Sequence, residues 1–353
     1  MNSTPTIAGI QQIGIGVPDV RRAFTWYREH FGMDIPVFDE AAEAPFMTRY
    51  TGGKVHSRHA ILALNMRGGG GFEIWQFTSR PPEPCPFQIL PGDLGIYAAA
   101  VKSSDVRGTF DAILSRKADI ASPVVKDPAG REVFHLRDPW GNLFRIVPSD
   151  DWFTEGPSTT GGVCGSVIGV SDMDASLRFY REILGYDETV YDRDGVFDDL
   201  AHLPGGSDAY RRVLLTHRSP RRGAFSGLLG KTEVELVQSL ERTPRKVYAD
   251  RYWGDCGFIH LCFDINGQDA MREKCAAHGH PFTTDSQSSF DMGDAAGHFS
   301  YIEDPDHTLV EFVETHKIPI VRKLGWYLDL RRRDTSRPLP RWMLRTLSFS
   351  RVR

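Results

Sequence analysis

The apolar positions change period within the first 33 residues. Ile13, Ile15 and Val17 alternate with small or polar residues, the two-residue repeat of a half-buried strand. After Asp19, Phe24, Tyr27 and Phe31 recur at i, i+3 and i+7, the stripe of an amphipathic helix. Asp19 is placed to cap the first turn of that helix, and Gly32 to end it in a left-handed C-cap. The same change returns at 167–185: Val167 and Val170, then Asp172, then Leu177, Tyr180 and Leu184, then Gly185. Residues 17–33 and 170–186 share Val17/Val170, Asp19/Asp172, Tyr27/Tyr180, Arg28/Arg181, Glu29/Glu182 and Gly32/Gly185 without a gap. Strand-like runs follow each helix, the last at 71–77 and 232–239.

Two further units open on the apolar runs 96–101 and 259–265. Each continues through a helix-like stretch, with Phe110, Ile113 and Leu114 in one and Met271 and Cys275 in the other. Each closes through a hairpin turn into a last strand, Asp138-Pro139-Trp140-Gly141 or Asp304-Pro305-Asp306-His307. Segments 136–147 and 302–313 match through Asp138/Asp304, Pro139/Pro305, Leu143/Leu309 and Val147/Val313. The chain therefore reads as an α+β fold of four βαβββ modules, at 8–78, 93–148, 163–239 and 257–315. The first two fall within 1–148 and the last two within 163–316. Polar, glycine-rich residues 149–162 are the expected linker, and 317–353 form an extension.

Composition narrows the function classes. Of 353 residues 41% are hydrophobic and 25% charged, as in globular proteins. No apolar stretch reaches the ~18 residues of a membrane span. The opening MNSTPTIAGIQQ lacks the basic head and apolar core of a signal peptide. Cys85, Cys164, Cys256, Cys262 and Cys275 form no CxxC pair, which predicts a reducing, cytoplasmic compartment. The net charge of -4 is unevenly spread. Residues 317–353 hold eleven cationic and two anionic side chains, leaving 31 and 44 in the rest of the chain. That acidic body argues against a nucleic-acid surface. In the extension Trp326, Tyr327, Leu330, Trp342, Met343 and Leu344 stand among the cations. This mixture suits a membrane-surface or anionic-partner segment, or a strap whose aromatics dock on the body. Pro338 and Pro340 break any long helix there and favour the strap.

Four βαβββ units with this helix pattern and the Asp-Pro turn resemble the vicinal oxygen chelate superfamily over residues 8–315. Its members include glyoxalase I, extradiol dioxygenases, methylmalonyl-CoA epimerase and fosfomycin or bleomycin resistance proteins. The resemblance implies that modules pair into two open, cup-shaped mixed sheets with helices outside. It also implies that each module sends inward one side chain from its first strand and one from its last. Counting back five residues from Val17, Val101, Val170 and Ile265 gives Gln12, Ile96, Gly165 and His260. The last-strand positions are Glu73, Arg145, Glu235 and Glu311. If modules 1 and 2 pair, and 3 and 4, the ligand types are split, leaving Glu235, His260 and Glu311 as a three-ligand set. If 1 pairs with 4 and 2 with 3, as in single-chain four-module glyoxalases, one cup gathers Gln12, Glu73, His260 and Glu311. Arg145 is then free to neutralise Glu235. The second pairing is favoured, because its ligand set matches that of one class of glyoxalase I.

Such a set suits one divalent ion, Zn, Ni, Co, Mn or Fe, acting as a Lewis acid on a small oxygenated metabolite. The resemblance makes Glu311 the base and Glu73 the opposing carboxylate. The expected function is metal-dependent, glyoxalase-like isomerase, lyase or epimerase chemistry. Tyr301, ten residues before Glu311, is similar to the tyrosine of extradiol dioxygenases, the second reading. That motif expects a glycine at His307 and histidines near Met292–Asp294 and at Gly165, all absent. The third reading is a non-catalytic small-molecule binding or resistance protein. A four-module chain completes its cups alone, as a monomer or homodimer. Structural alternatives stand beside these: Glu235 as a salt-bridged carboxylate, His260 as a core histidine, His307 in a positive-φ turn, Gly68 to Gly71 as a flexible turn.

Overall fold

The computed structural model describes residues 4–287, 290–292, 295–321 and 326–352. Module 1 runs β1 (Thr6–Gly16), α1 (Val20–Phe31), β2 (Ile35–Glu43), β3 (Ser57–Leu64) and β4 (Gly71–Phe77). Module 2 runs β5 (Gly95–Ser103), α2 (Val106–Ser115), β6 (Asp119–Ile120), β7 (Val125–Lys126), β8 (Glu132–Arg137) and β9 (Leu143–Pro148). Module 3 runs β10 (Thr160–Gly169), α3 (Met173–Glu182), β11 (Glu188–Gly195), β12 (Tyr210–Thr216), α4 (Ser226–Leu229) and β13 (Glu233–Ser239). Module 4 runs β14 (Gly257–Asn266), α5 (Gln268–Ala277), β15 (Thr284–Asp285), β16 (Phe290–Met292), β17 (Ala295–Glu303) and β18 (Leu309–Val321). β19 (Trp326–Asp329) and α6 (Arg341–Arg345) follow.

The caps form as the sequence pattern requires. Asp19 accepts a hydrogen bond from the Arg22 amide, and Asp172 from those of Asp174 and Ala175. Each such cap is worth about 1 kcal/mol. Gly32 and Gly185 take φ of 67° and 72°, the left-handed region that ends each helix. His307 also has positive φ, 68°, in the Asp-Pro turn.

Among the described residues the strands form two sheets. One has the order β15-β17-β18-β14-β1-β4-β3-β2, with β16 and β19 attached, and joins modules 4 and 1. The other has the order β11-β12-β13-β10-β5-β9-β8-β6, with β7 attached, and joins modules 3 and 2. The seams are antiparallel: β1 on β14, with Gly14 opposite His260, and β10 on β5. The helices and the convex sheet faces share one core that includes Ile13, Ile15, Tyr27, Phe72, Phe144 and Phe263.

A second set of ties runs in the other combination. The Tyr27 hydroxyl on α1 donates to Asp138 in the module 2 turn (2.6 Å), and Tyr180 on α3 to Asp304 in the module 4 turn (3.0 Å). These are the repeated tyrosines and aspartates of the sequence. All four are buried. Burial pushes Asp138 up and carries Asp304 to about 7.

Three sequence expectations change. Residues 149–162 are not a loose linker: Phe153 is buried beside Leu228, its amide donates to the Arg67 carbonyl, and β10 begins at Thr160. The glycine run is no flexible turn, because Gly70 bridges Val163 and a Cβ there would stand 2.6 Å from the Ile10 carbonyl. The extension begins inside the sheet, since β18 continues to Val321 and pairs with β19. Leu330, Leu339 and Leu344 then bury against Ile35, Leu64 and Leu228, so the segment is strapped to the body by leucines and not by the aromatics expected, Trp342 being exposed. The side chains of Trp326 and Tyr327 lie outside the described residues.

Asp304 supplies a test of the inter-module ties. Its carboxyl titrates near 7 in the fold against about 3.9 in an unfolded chain. The stability this contributes is fully present below the unfolded value and is lost as pH rises through 7. Asp304→Asn is therefore expected to gain stability relative to the parent between about pH 5 and about pH 8, measured by urea unfolding. A gap between the two proteins that is the same at both pH values would contradict this assignment.

Candidate metal centre

Strand periodicity sets which side chains face the cup. β1 and β4 run parallel with Gly14 opposite Glu73, and β14 and β18 run parallel with Cys262 opposite Glu311. Ile13, Ile15, Ile74, Leu261, Phe263 and Phe312 therefore enter the core, while Gln12, Glu73, His260 and Glu311 turn to the concave face. The β1–β14 register slips between Gly14 and Ile15, leaving Ile259 as an extra residue. That bulge lets Ile259 join the apolar wall of the cup beside His260.

His260 is fully buried, and its ring lies flat on the backbone of Gly14. A Cβ at Gly14 would come within 2.5–2.8 Å of three imidazole atoms. The Trp253 indole lies nearly parallel to the ring, at 6.5 Å between centroids. Tyr301 meets the ring edge-on, with its oxygen 3.3 Å from Nδ1. Nε2 points between the two carboxylates, 3.1 Å from Glu311 Oε2 and 3.3 Å from Glu73 Oε2. Donor atoms of Glu73, His260 and Glu311 all lie within 4.8 Å of one another. Gln12 Nε2 donates to Glu73 Oε2 (3.0 Å), which ties the amide to that carboxylate.

The electrostatics follow. Burial opposes charge on His260, but the Glu311 and Glu73 carboxylates outweigh it and raise the imidazole to about 9. Burial, then the same two carboxylates, pushes the Tyr301 phenol well up, so it stays neutral. His260 Nε2 and Glu311 Oε2 are both buried and stand in ion-pair contact at 3.1 Å, yet neither makes a well-aligned hydrogen bond. Such atoms are costly unless something lies between them. One imidazole nitrogen and two carboxylates are a donor set for a borderline divalent cation, and the residues fit that ion.

Met47, Trp75, Trp253, Ile259 and Phe299 wall the cup with apolar surface. Trp253 is carried by an irregular segment pinned through Asp255, which is fully buried and accepts from the amides of Glu83 and Tyr252 and from Arg80. Beyond Trp253 and Ile259 opens a cleft of about 510 Å³, whose lining includes Arg49, Tyr50, Lys246 and Tyr252. The cleft does not reach the triad; Trp253 and Ile259 are the wall between them.

In the second cup a charge network occupies the equivalent volume. Arg145, 1% exposed, pairs with Glu235 and with Asp127, and Arg212 donates to Glu235 (2.6 Å) and Asp199 (2.6 and 2.9 Å). Despite burial, Arg212 and Arg145 hold Glu235 at about 2. Burial, then the same arginines, drives His135 down to about 3, so it is neutral. The residual cavity is only about 10 Å³. Glu235 is thus committed to arginines in the other sheet, and the alternative set Glu235, His260 and Glu311 is not assembled. Gly165 has no room for a side chain, since a Cβ there would be 2.5 Å from the Glu233 carbonyl. Ile96 was misplaced by two residues. β5 runs to Ser103 before the cap Asp105, and Ala98, opposite Leu143, holds the register that His260 holds opposite Leu309.

Sequence reasoning missed Gly14 and the two tryptophans. Gly14 did carry a signal, a glycine on the inward face of a strand, where close approach is the usual reason. Trp253 carried none, because it lies in an irregular segment without periodicity.

A family model described as Glyoxalase/Bleomycin resistance protein/Dioxygenase superfamily matches residues 9–146 and 164–312. The chain belongs to that superfamily. Among solved structures, glyoxalase I from Zea mays is 16% identical, with 87% of this chain and 92% of that one covered at a TM-score of 0.56. A putative dioxygenase from Bacillus subtilis subsp. subtilis str. 168 is 15% identical, with 88% and 86% covered at 0.54. At such identities the likeness shows the fold alone. No curated protein matches in sequence. No helix among the described residues is long and apolar enough to cross a membrane.

Gly14→Ala tests the seat of His260. Gly14 does not have positive φ, so the backbone accepts alanine, and only the imidazole must move. The variant is expected to fold and to lose most affinity for added divalent metal, measured by titration calorimetry. Parent-like affinity would show that the ring does not depend on this contact.

Proposed function

We propose that Glu73, His260, Glu311 and Gln12 hold one divalent cation, Zn, Ni, Co, Mn or Fe. On this reading the protein is a metal-dependent enzyme with glyoxalase-like isomerase, lyase or epimerase chemistry on a small oxygenated metabolite. The observation that carries this is the convergence of donor atoms of Glu73, His260 and Glu311 within 4.8 Å of one another, with no aligned hydrogen bond at His260 Nε2 or Glu311 Oε2. When bound, the ion supplies a Lewis acid that stabilises negative charge on adjacent substrate oxygens.

The chain's own residues divide the remaining work. Glu311 Oε2, which touches His260 Nε2 at 3.1 Å but makes no aligned hydrogen bond, is the atom to take a proton from carbon. Glu73 is held in place by the Gln12 amide. Tyr301 meets Nδ1, so when that nitrogen carries the ring proton Nε2 keeps its lone pair for a ligand. The apolar wall of Trp75, Trp253 and Phe299 excludes water from the reacting carbon. The fold likeness to a glyoxalase I supports the reading.

A second reading, ring cleavage by a dioxygenase, draws on one observation, the buried Tyr301 phenol beside His260. Against it stands the ligand set, one histidine with two carboxylates, and Gln12 rather than a second imidazole at the facing first-strand position on β1. Oxygen uptake on catechols after anaerobic metal loading separates the two.

His260→Ala is expected to abolish stoichiometric metal binding in a folded protein, read by elemental analysis after exposure to each candidate metal. Glu311→Gln is expected to keep much of the metal and lose about 10²-fold or more in turnover of an identified substrate. Full metal content in the first variant, or normal turnover in the second, would overturn the respective role. A folded parent that takes up none of these metals would favour the non-catalytic binding protein instead.

A further inference from the structure

We propose that the outer face of the C-terminal strap, centred on Trp342 and Phe349, docks this protein on an anionic lipid surface. The strap has two faces. α6 and the 3-10 turns over Thr346–Ser350 form one short helical run. Leu344 is buried on the inner side, with Met343 and Leu347 half-buried against the same cluster. Trp342, Arg345 and Phe349 follow at i, i+3 and i+7 on the outer side, and all three are exposed. The inner face explains the strap's attachment to the body. It leaves the outer face without a structural reason.

Exposure there is large. Trp342 is 58% and Phe349 85% exposed, with Val352 at 36% beside them. Other exposed large apolar residues of the described chain, such as Val55, Leu114 and Val196, are scattered singly and need no partner. Three within eleven consecutive residues, interleaved with arginines, do need one. Residues 335–353 contain five arginines and no acidic side chain. Arg345 makes no ion pair among the described residues, and Arg337 is 78% exposed in its pair with Asp334.

Charge selects the partner and its orientation. Residues before 317 carry 31 cationic against 44 anionic side chains, so the body is acidic overall and an anionic surface is drawn to the basic strap in preference to it. Arginines meet lipid phosphates while Trp and Phe enter the headgroup boundary. Val352 and Phe349 favour hydrocarbon over a nucleic acid, which would use aromatics set in a basic groove for stacking.

The full-length protein is to be sedimented with phosphatidylcholine vesicles, with and without phosphatidylglycerol. Binding only to the anionic vesicles at about 0.1 M salt, weakened at about 1 M, is expected. Trp342→Ser with Phe349→Ser is expected to abolish it. Arg337→Ala with Arg345→Ala is expected to weaken it roughly 30-fold. Melting temperature and metal content stay as in the parent, because none of these side chains is buried in the core. The proposal is overturned if the parent does not sediment with anionic vesicles, if the variants bind as the parent does, or if single-stranded polynucleotide binds more tightly than vesicles.

Discussion

The antiparallel seam between β1 and β14, from opposite ends of the chain, is the contact on which the other features depend. It closes the first sheet from modules 1 and 4, and the β10–β5 seam closes the second from modules 3 and 2. The Tyr27–Asp138 and Tyr180–Asp304 bonds then tie 1 to 2 and 3 to 4. Each module is thus held to one neighbour through its sheet and to another through its helix or turn. Detaching any one module from the rest therefore breaks a tie of each kind. Non-local closure of this sort costs loop entropy early and is rewarded only when the seam forms.

The seam also decides where chemistry is available. It sets the hydrogen-bonded pair Gln12 and Glu73 of module 1 across from His260 and Glu311 of module 4, so that the imidazole stands within reach of a carboxylate from each module. The second cup has the same register with different residues, so Arg145 and Arg212 fill it with ion pairs to Glu235, Asp127 and Asp199. A buried pair of this kind adds little net stability, yet truncating one arginine costs about 3–5 kcal/mol by stranding a carboxylate. One cup is therefore a converging acid–imidazole site and the other a closed structural knot.

Much of this was legible in the sequence because the signals are local. The capping aspartates, the C-cap glycines, the Asp-Pro turns and the change of period fall where the pattern puts them, and Tyr27, Tyr180, Asp138 and Asp304 repeat because they meet. Arg145 paired with Glu235 was also readable, as two opposite charges at equivalent last-strand positions. What was not legible is set by distant contact. Arg212 and Asp199 join the second cup through no motif. Trp253 reaches His260 from an irregular segment held by Asp255. The glycine run looked flexible because its neighbours, Val163 and Leu228, lie far along the chain. The Ile96 slip arose from counting from a valine, whereas counting from the cap Asp105 would have reached Ala98.

On this reading, the pairing of modules 1 and 4 within one chain builds a single metal centre and the second cup builds none. Anomalous scattering from a crystal grown with the bound metal tests it most directly. The account predicts a single strong peak per chain, between Glu73, His260 and Glu311. No peak there, or a peak of comparable height beside Glu235 and Arg145, would contradict it.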